Sequence, residues 1–257
     1  MDPFTQGVLG AAFSQSFARR KKIRVACLAG ALGGMAADLD IFIRSSTDPL
    51  LAIEFHRHFT HSIWFIPFGG LLVAMAMWLV FSKLLKTKEC DFKSLALFST
   101  LGYATHATLD ACTSYGTRLF WPLSNERVAW DTVAVIDPLP TIIITIFVVL
   151  SYRRYSRTLA QVGMACFIGY LALGFMQNYR VTKKVEQIAK AFGMKIMIAA
   201  LDSQKKYTED RVSLKMLLQE SDIVTIHVPL NEKTKDLISK KELNYMKESS
   251  IIINTAR

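Results

Sequence analysis

Two stretches of this chain, residues 63–81 and 158–178, run without a single charged side chain. About 20 apolar residues in a helix suffice to cross the hydrocarbon core of a bilayer, so each run is long enough for one crossing. Three further runs, residues 25–43, 94–109 and 133–150, complete a set of five candidate spans. The chain has 257 residues, 51% of them hydrophobic, with a mean hydropathy of +0.27, which is too apolar for an ordinary soluble domain. The expected fold is an all-α multi-span membrane helical bundle of about five spans. Residues 7–17 are expected to form a short helix at the membrane interface, and the glycines and alanines of 25–43 to let helices approach closely.

Charge divides the chain. Residues 1–179 carry 16 Lys/Arg and 11 Asp/Glu, whereas the much shorter segment 180–257 carries 15 and 10. Charge density more than doubles near residue 180, which predicts two domains, 1–179 and 180–257. In the first, the basic residues sit in short clusters between apolar runs, so no nucleic-acid partner is expected. The segments 19–24, 83–93 and 153–157 hold 12 Lys/Arg, while the alternate loops hold only Arg44, Arg57, Arg118 and Arg127. By the positive-inside rule the basic segments face the cytoplasm, and a five-span chain then has a cytoplasmic N-terminus. No signal peptide is expected, because the basic cluster follows the first mildly apolar stretch. Cys27, Cys90, Cys112 and Cys166 lie far apart and read as small buried residues.

Three polar clusters interrupt the apolar runs: Asp38-Leu39-Asp40, the segment 56–62 reading HRHFTHS, and His106 with Asp110. Ionisable residues at membrane depth are expensive and mark function by default. The topology drawn from Lys and Arg alone brings all three clusters to one membrane face. Imidazoles and carboxylates together are a ligand set for zinc, manganese or iron. His106 and Asp110, at i and i+4, share a helix face. Asp38 and Asp40 would point about 200° apart on a regular helix, so a helix that brings both to one site must end or unwind there. His56 and His61 are five apart, so at least one lies outside regular helix. Thr60 and Ser62 are placed to position an imidazole or a water. Asp131 and Asp137 are weaker candidates, since Asp137-Pro138 reads as a helix start.

A divalent cation in such a site lowers the pKa of a bound water toward neutrality and makes it a nucleophile for an ester or phosphoester. The chain has no GxSxG, so metal-activated water is the economical chemistry for a hydrolase. The same ligands would serve a metal transporter or sensor, which stays as the alternative. The bilayer and an unidentified small-molecule or lipid substrate are the expected partners.

The three clusters, with LGYATHATLDACTSYGTRLFWP at 101–122, resemble the YdjM-like family of inner-membrane metal-dependent hydrolases. Its pattern reads roughly PDxD, HRxxTHS and GYxxHxxxDxxTxxGxxxxWP, in that order, over about residues 1–179. Ala37 stands where the family usually has proline. The resemblance implies the bacterial inner membrane and a metal, zinc by expectation. It also implies a metal-ligating and catalytic set of Asp38, Asp40, His56, His61, His106 and Asp110.

The last third reads differently. Helices near 185–192, 213–220 and 240–246 alternate with strands at 195–200, 223–227 and 250–253, the pattern of a parallel α/β sheet. AKAFGMKIMIAA, SDIVTIHVPLNEKTKDLI and SSIIINTAR resemble the NAD-binding domain of the D-isomer-specific 2-hydroxyacid dehydrogenases. Arg257 matches that family's substrate-binding arginine, and Ala200 or Asp202 stands near its acidic ribose ligand. The glycine-rich phosphate loop should precede Lys183, where the chain reads GFMQNYRVT. The sequence stops before the family's catalytic glutamate and histidine. The expectation is an incomplete α/β fusion segment that does not use NAD, with a dehydrogenase fragment as a distant alternative reading of the chain.

Overall fold

A computed structural model describes residues 1–43, 56–81, 91–200, 211–228 and 234–254. Arg257, Asp202, Cys90, Arg44 and the Asp48-Pro49 pair lie outside the described residues. The chain divides into two compact units, Met1–Asn178 and Tyr179–Arg257.

The first unit is helical. Its helices are α1 (Pro3–Phe17), α2 (Ile23–Ala36), α3 (Ile66–Leu79), α4 (Phe92–Ala111), α5 (Pro138–Arg154) and the start of α6 (Arg157–Ala191). Local chemistry fixes several ends. Asp2 caps α1 by accepting the Thr5 N–H, with Pro3 in the first turn. Asp91 caps α4 through the Ser94 N–H, and α5 closes on Tyr155 in the left-handed region. Among the described residues two segments are long and apolar enough to cross a membrane, Arg20–Phe42 and Arg157–Ala191, with Ile63–Leu79 a shorter apolar one. This is fewer than the five expected. Runs such as 94–109 and 133–150 become helices α4 and α5, whose length or polarity falls short of that standard.

The helix α1 departs from expectation. It is not a surface element: Gln6, Gly7, Leu9, Gly10, Ala11, Ala12, Ser14 and Gln15 are all buried. It pairs antiparallel with α2, Gly7 facing Met35 and Gly10 facing Gly30 and Gly34. A Cβ on Gly10, Gly30 or Gly102 would collide with backbone of the facing helix, so α1, α2 and α4 meet closely at Gly30, with the small Ser14 side chain alongside. The antiparallel pairing sets Met1 and the basic segment 19–24 at opposite ends of α1.

Burial is distributed as a membrane bundle requires. Leu71, Leu72, Met75, Ile142, Ile146, Ile168 and Leu173 are exposed, while Ser14, Ser99, His106 and Asp110 are buried. An apolar exterior of this extent around a polar interior suits lipid rather than water.

The second unit contains the end of α6, α7 (Leu214–Glu220) and α8 (Lys240–Leu243). Its strands β1 (Ile198–Ala199), β2 (Arg211–Val212), β3 (Ile223–Ile226) and β4 (Ile251–Asn254) make two separate parallel pairs among the described residues, β1 with β2 and β3 with β4. Strand polarity is as the alternating pattern implies. Among the described residues the pairs do not join into a single sheet, and β2 had no sequence signal because it is two residues long. The core is small, centred on Leu217, Leu218 and Val224.

Candidate metal centre

The end of α2 is where the first cluster is shaped. The α-helix stops at Ala36 and tightens into a 3-10 turn over Ala37–Phe42. Ala37, where the resembling family has proline, is αR and buried, so the turn forms without the ring. With about three residues per turn, Asp38 and Asp40 diverge and straddle one imidazole. Asp38 Oδ1 lies 3.7 Å from His61 Nε2 and Asp40 Oδ2 lies 3.4 Å from His61 Nδ1. His61 ends a second 3-10 turn, Phe59–His61, and His106 and Asp110 come from the last turns of α4.

Asp38, His61, His106 and Asp110 each present one donor atom to a common point, all within 4.8 Å of one another. The separations test whether a cation fits. His106 Nε2 is 2.9 Å from His61 Nε2 and 3.3 Å from Asp38 Oδ1. Asp110 Oδ2 is 3.3 Å from His61 Nε2 and 3.6 Å from His106 Nε2. Ligands at 2.0–2.1 Å from a tetrahedral ion stand about 3.3–3.4 Å apart, and these separations bracket that length. Asp110 Oδ2 is buried and makes no hydrogen bond of good geometry among the described residues, facing Arg57 Nε at 3.3 Å, and a cation would complete its neutralisation. The donor set fits a divalent metal.

The surrounding contacts fix the imidazoles. The Gly34 carbonyl lies 2.6 Å from His106 Nδ1, which places the proton there and leaves Nε2 free to ligate. Thr60 Oγ1 lies 3.0 Å from His61 Nδ1 and donates to Asp40 Oδ2 at 3.0 Å. The Thr60 carbonyl accepts from the Tyr103 hydroxyl at 2.8 Å. Burial pushes His61 toward its neutral form, but Asp110 and Asp38 outweigh it and raise its pKa above the ordinary 6.5.

The remaining sequence candidates lie around this group. Asp40 is buried and accepts from the Arg57 N–H at 2.8 Å, with His56 Nδ1 3.1 Å from its other oxygen. The His56 side chain is 44% exposed, at the rim. Ser62 does not reach the site; it caps Phe65. Asp137 starts α5 and accepts from the Tyr170 hydroxyl, apart from the cluster. Asp131 lies in the loop between α4 and α5 with positive φ, its carbonyl accepting from Asn178.

Three participants were not singled out from sequence. Arg57 places Nε 3.3 Å from Asp110 Oδ2 and is 7% exposed. Its position between two histidines of HRHFTHS was a usable signal. Gln6 donates to Asp110 Oδ1 at 3.0 Å, and the Met1 amino group donates to the same oxygen. Neither has a spacing that sequence could flag.

A helical bundle with an apolar exterior and a buried His/Asp cluster defines an integral membrane protein with a candidate metal centre. Comparison with known proteins names the family: the profile of the YdjM inner membrane protein matches residues 1–181, and the chain belongs to that family. Residues 172–257 match the NAD-binding domain of D-isomer-specific 2-hydroxyacid dehydrogenases. That part is similar to glyoxylate reductase of Korarchaeum cryptofilum, 38% identical over 42% of this chain and 30% of the relative. It is similar to glyoxylate reductase of Aeropyrum pernix, 41% identical over 33% of this chain and 27% of the relative. Glycerate dehydrogenase of Methylorubrum extorquens is 40% identical over 43% of this chain and 31% of the relative. The chain thus spans under a third of the length of these relatives. The match to an NAD-binding domain weighs against leaving NAD out of account. No solved structure matches the chain.

Proposed function

We propose that this protein is a multi-pass hydrolase of the inner membrane that depends on a divalent cation. Asp38, His61, His106 and Asp110 are its ligands, Asp40 a positioning residue, and His56 a proton-carrying residue at the rim. The observation that carries this reading is the gathering of four donor atoms from three separate segments within 4.8 Å of one another, three of the four residues buried.

A cation held there supplies Lewis acidity and lowers the pKa of bound water toward neutrality. The chain's own residues do the rest. Gly34 and Thr60 hold the imidazoles in one tautomer and orientation. Asp40 ties His61 to His56, so a proton on His56 Nδ1 can pass between solvent and the buried group. Asp38, with its side chain 21% exposed, marks the side from which water and substrate enter. Asp38, His61, His106 and Asp110 would hold the cation, which would supply the activated water. Zinc is the first ion to test, manganese the second.

The proposed topology keeps the basic segments 19–24, 83–93 and 153–157 in the cytoplasm and the cluster at the outer face. Because α1 runs from the cluster end to the basic end, Met1 is placed at the outer face, with α1 a sixth, shielded crossing. The bilayer is the partner, and the substrate is a small molecule or lipid reached from that face.

Purified protein in detergent, reconstituted with zinc or manganese, should hold stoichiometric metal and hydrolyse members of an ester and phosphoester panel. Bound metal without turnover, together with metal flux into proteoliposomes, would instead make it a transporter.

A further inference from the structure

Three of the four arginines on the site side of the chain gather beside the cluster. Arg118 N–H donates to the Arg57 carbonyl at 3.4 Å, and Arg127 donates from Nη2 to the His56 carbonyl at 3.3 Å. Arg118 and Arg127 flank the bridge between Thr117 and Val128, so both pack against the segment that carries His56 and His61. Arg57 adopts φ of 60°, a left-handed conformation that costs a non-glycine residue energy and persists where the surroundings enforce it. It holds the Arg57 guanidinium, 7% exposed, against Asp110. The Nε donor of Arg57 faces Asp110 Oδ2, whereas that of Arg118 is buried without a hydrogen-bond partner among the described residues.

Like charges are not brought together in a partly buried loop without something to neutralise them. Burial first, then the charges of Arg118 and Arg57, push the Arg127 guanidinium down. The carboxylates of Asp38, Asp40 and Asp110 face three arginines and the Met1 amino group. A divalent cation therefore leaves the pocket with a net positive charge, which suits a dianion. Guanidinium forks suit a phosphoryl group, whose oxygens accept paired N–H donors.

We propose that Arg57, Arg118 and Arg127 form a phosphoryl-binding subsite, so that the substrate is a phosphomonoester, carried on a lipid or on a soluble molecule. This rests on the hydrolase reading of the adjoining cluster. Hydrolysis then puts the water oxygen on phosphorus, breaks the bond to the alcohol oxygen, and gives that oxygen a proton; no redox partner is needed.

The test uses the full chain in nanodiscs, with metal content measured alongside binding. Phenyl phosphate should bind saturably, at least tenfold more weakly in Arg118→Gln and more weakly still with Arg127→Gln added. Arg118→Lys should recover part of the loss, and metal content should not change in any of them. Displacement of phenyl phosphate by phosphatidic acid in the nanodisc, but not by glycerol phosphate, assigns the lipid source; the reverse assigns the soluble one. Full metal content with no saturable phenyl phosphate binding, or equal binding by wild type and both variants, overturns the subsite and leaves the metal reading standing. Phenyl phosphate binding that persists in protein unable to hold metal does the opposite.

Discussion

His61 Nε2 and His106 Nε2 stand 2.9 Å apart, while the second nitrogen of each ring is held elsewhere, by Thr60 and by Gly34. Two imidazole nitrogens that face each other need either a proton or a cation between them. Burial opposes the charge on His61, but Asp110 and Asp38 raise its pKa above the ordinary value, which favours the proton when no metal is bound.

Metal binding should therefore release a proton. While His61 is protonated, affinity should rise about tenfold per pH unit, and it should level off only above the raised pKa, beyond 6.5. The sign for the metal-free fold is opposite. A raised folded pKa gives stability that is full below 6.5 and is lost as pH rises through the raised value. Titrations in buffers of different ionisation enthalpy check the release. A pH-independent affinity between pH 6 and 8 would contradict it.

Removing ligands should grade the site. His106→Ala and Asp110→Ala should each abolish stoichiometric metal while the protein still inserts, since each leaves three donors and exposes a buried partner. Asp40→Asn should weaken metal by about 10–100-fold, as expected for a residue that orients a ligand. Metal analysis of the three proteins separates these outcomes. Equal loss in all three would make Asp40 a ligand.

The four-residue group was legible because each member belonged to a polar cluster in apolar sequence and the topology drew the clusters together. The division of labour between Asp38 and Asp40 was not, because it depends on a 3-10 turn that sends two neighbours to opposite edges of His61. The burial of α1 was hidden by composition. Its glycines, alanines and serines look mild on a hydropathy scale, yet they let it sit against Gly30 and Gly34. Gln6 reaches Asp110 only because of that packing.

Packing at Gly30 gives a stability prediction. A side chain at Gly102 meets the Gly30 backbone, which cannot move aside as a flexible side chain would. Gly102→Val should cost at least about 1–3 kcal/mol, the range for overpacking a core, and should shift α4, with its His106 and Asp110. Thermal unfolding in detergent and metal content should fall together. Gly169, with no neighbour within 4 Å, is the control, and Gly169→Val should leave both unchanged.

Topology is tested by single cysteines in a background without native ones. Asn125→Cys and Asp2→Cys should react with an impermeant thiol reagent applied from outside, and Thr87→Cys should not. Position 125 lies in the loop on the site side, and Asp2 caps the α1 end beside Asp110. Position 87 is outside the described residues and is chosen for its basic neighbours. Labelling of Asn125→Cys without Asp2→Cys would put the N-terminus back in the cytoplasm and set α1 apart from its pairing with α2.

The last prediction concerns residues 172–257. Their likeness to an NAD-binding domain counts in favour of cofactor binding. The local structure counts against it. In that fold a strand, a glycine-rich turn and a helix N-terminus cradle the pyrophosphate, but residues 172–191 here continue a single helix, Arg157–Ala191. Among the described residues sheet pairing is confined to two-stranded pairs, and Ile223, Ile251 and Ile253 stay 55%, 57% and 44% exposed. The whole protein in detergent should therefore show no saturable NADH binding, and truncation after Arg180 should leave insertion and metal content unchanged. Calorimetric titration of the full chain with NADH decides it. A stoichiometric complex at micromolar concentration would show that these residues hold the cofactor by another route, and would link the membrane site to nucleotide.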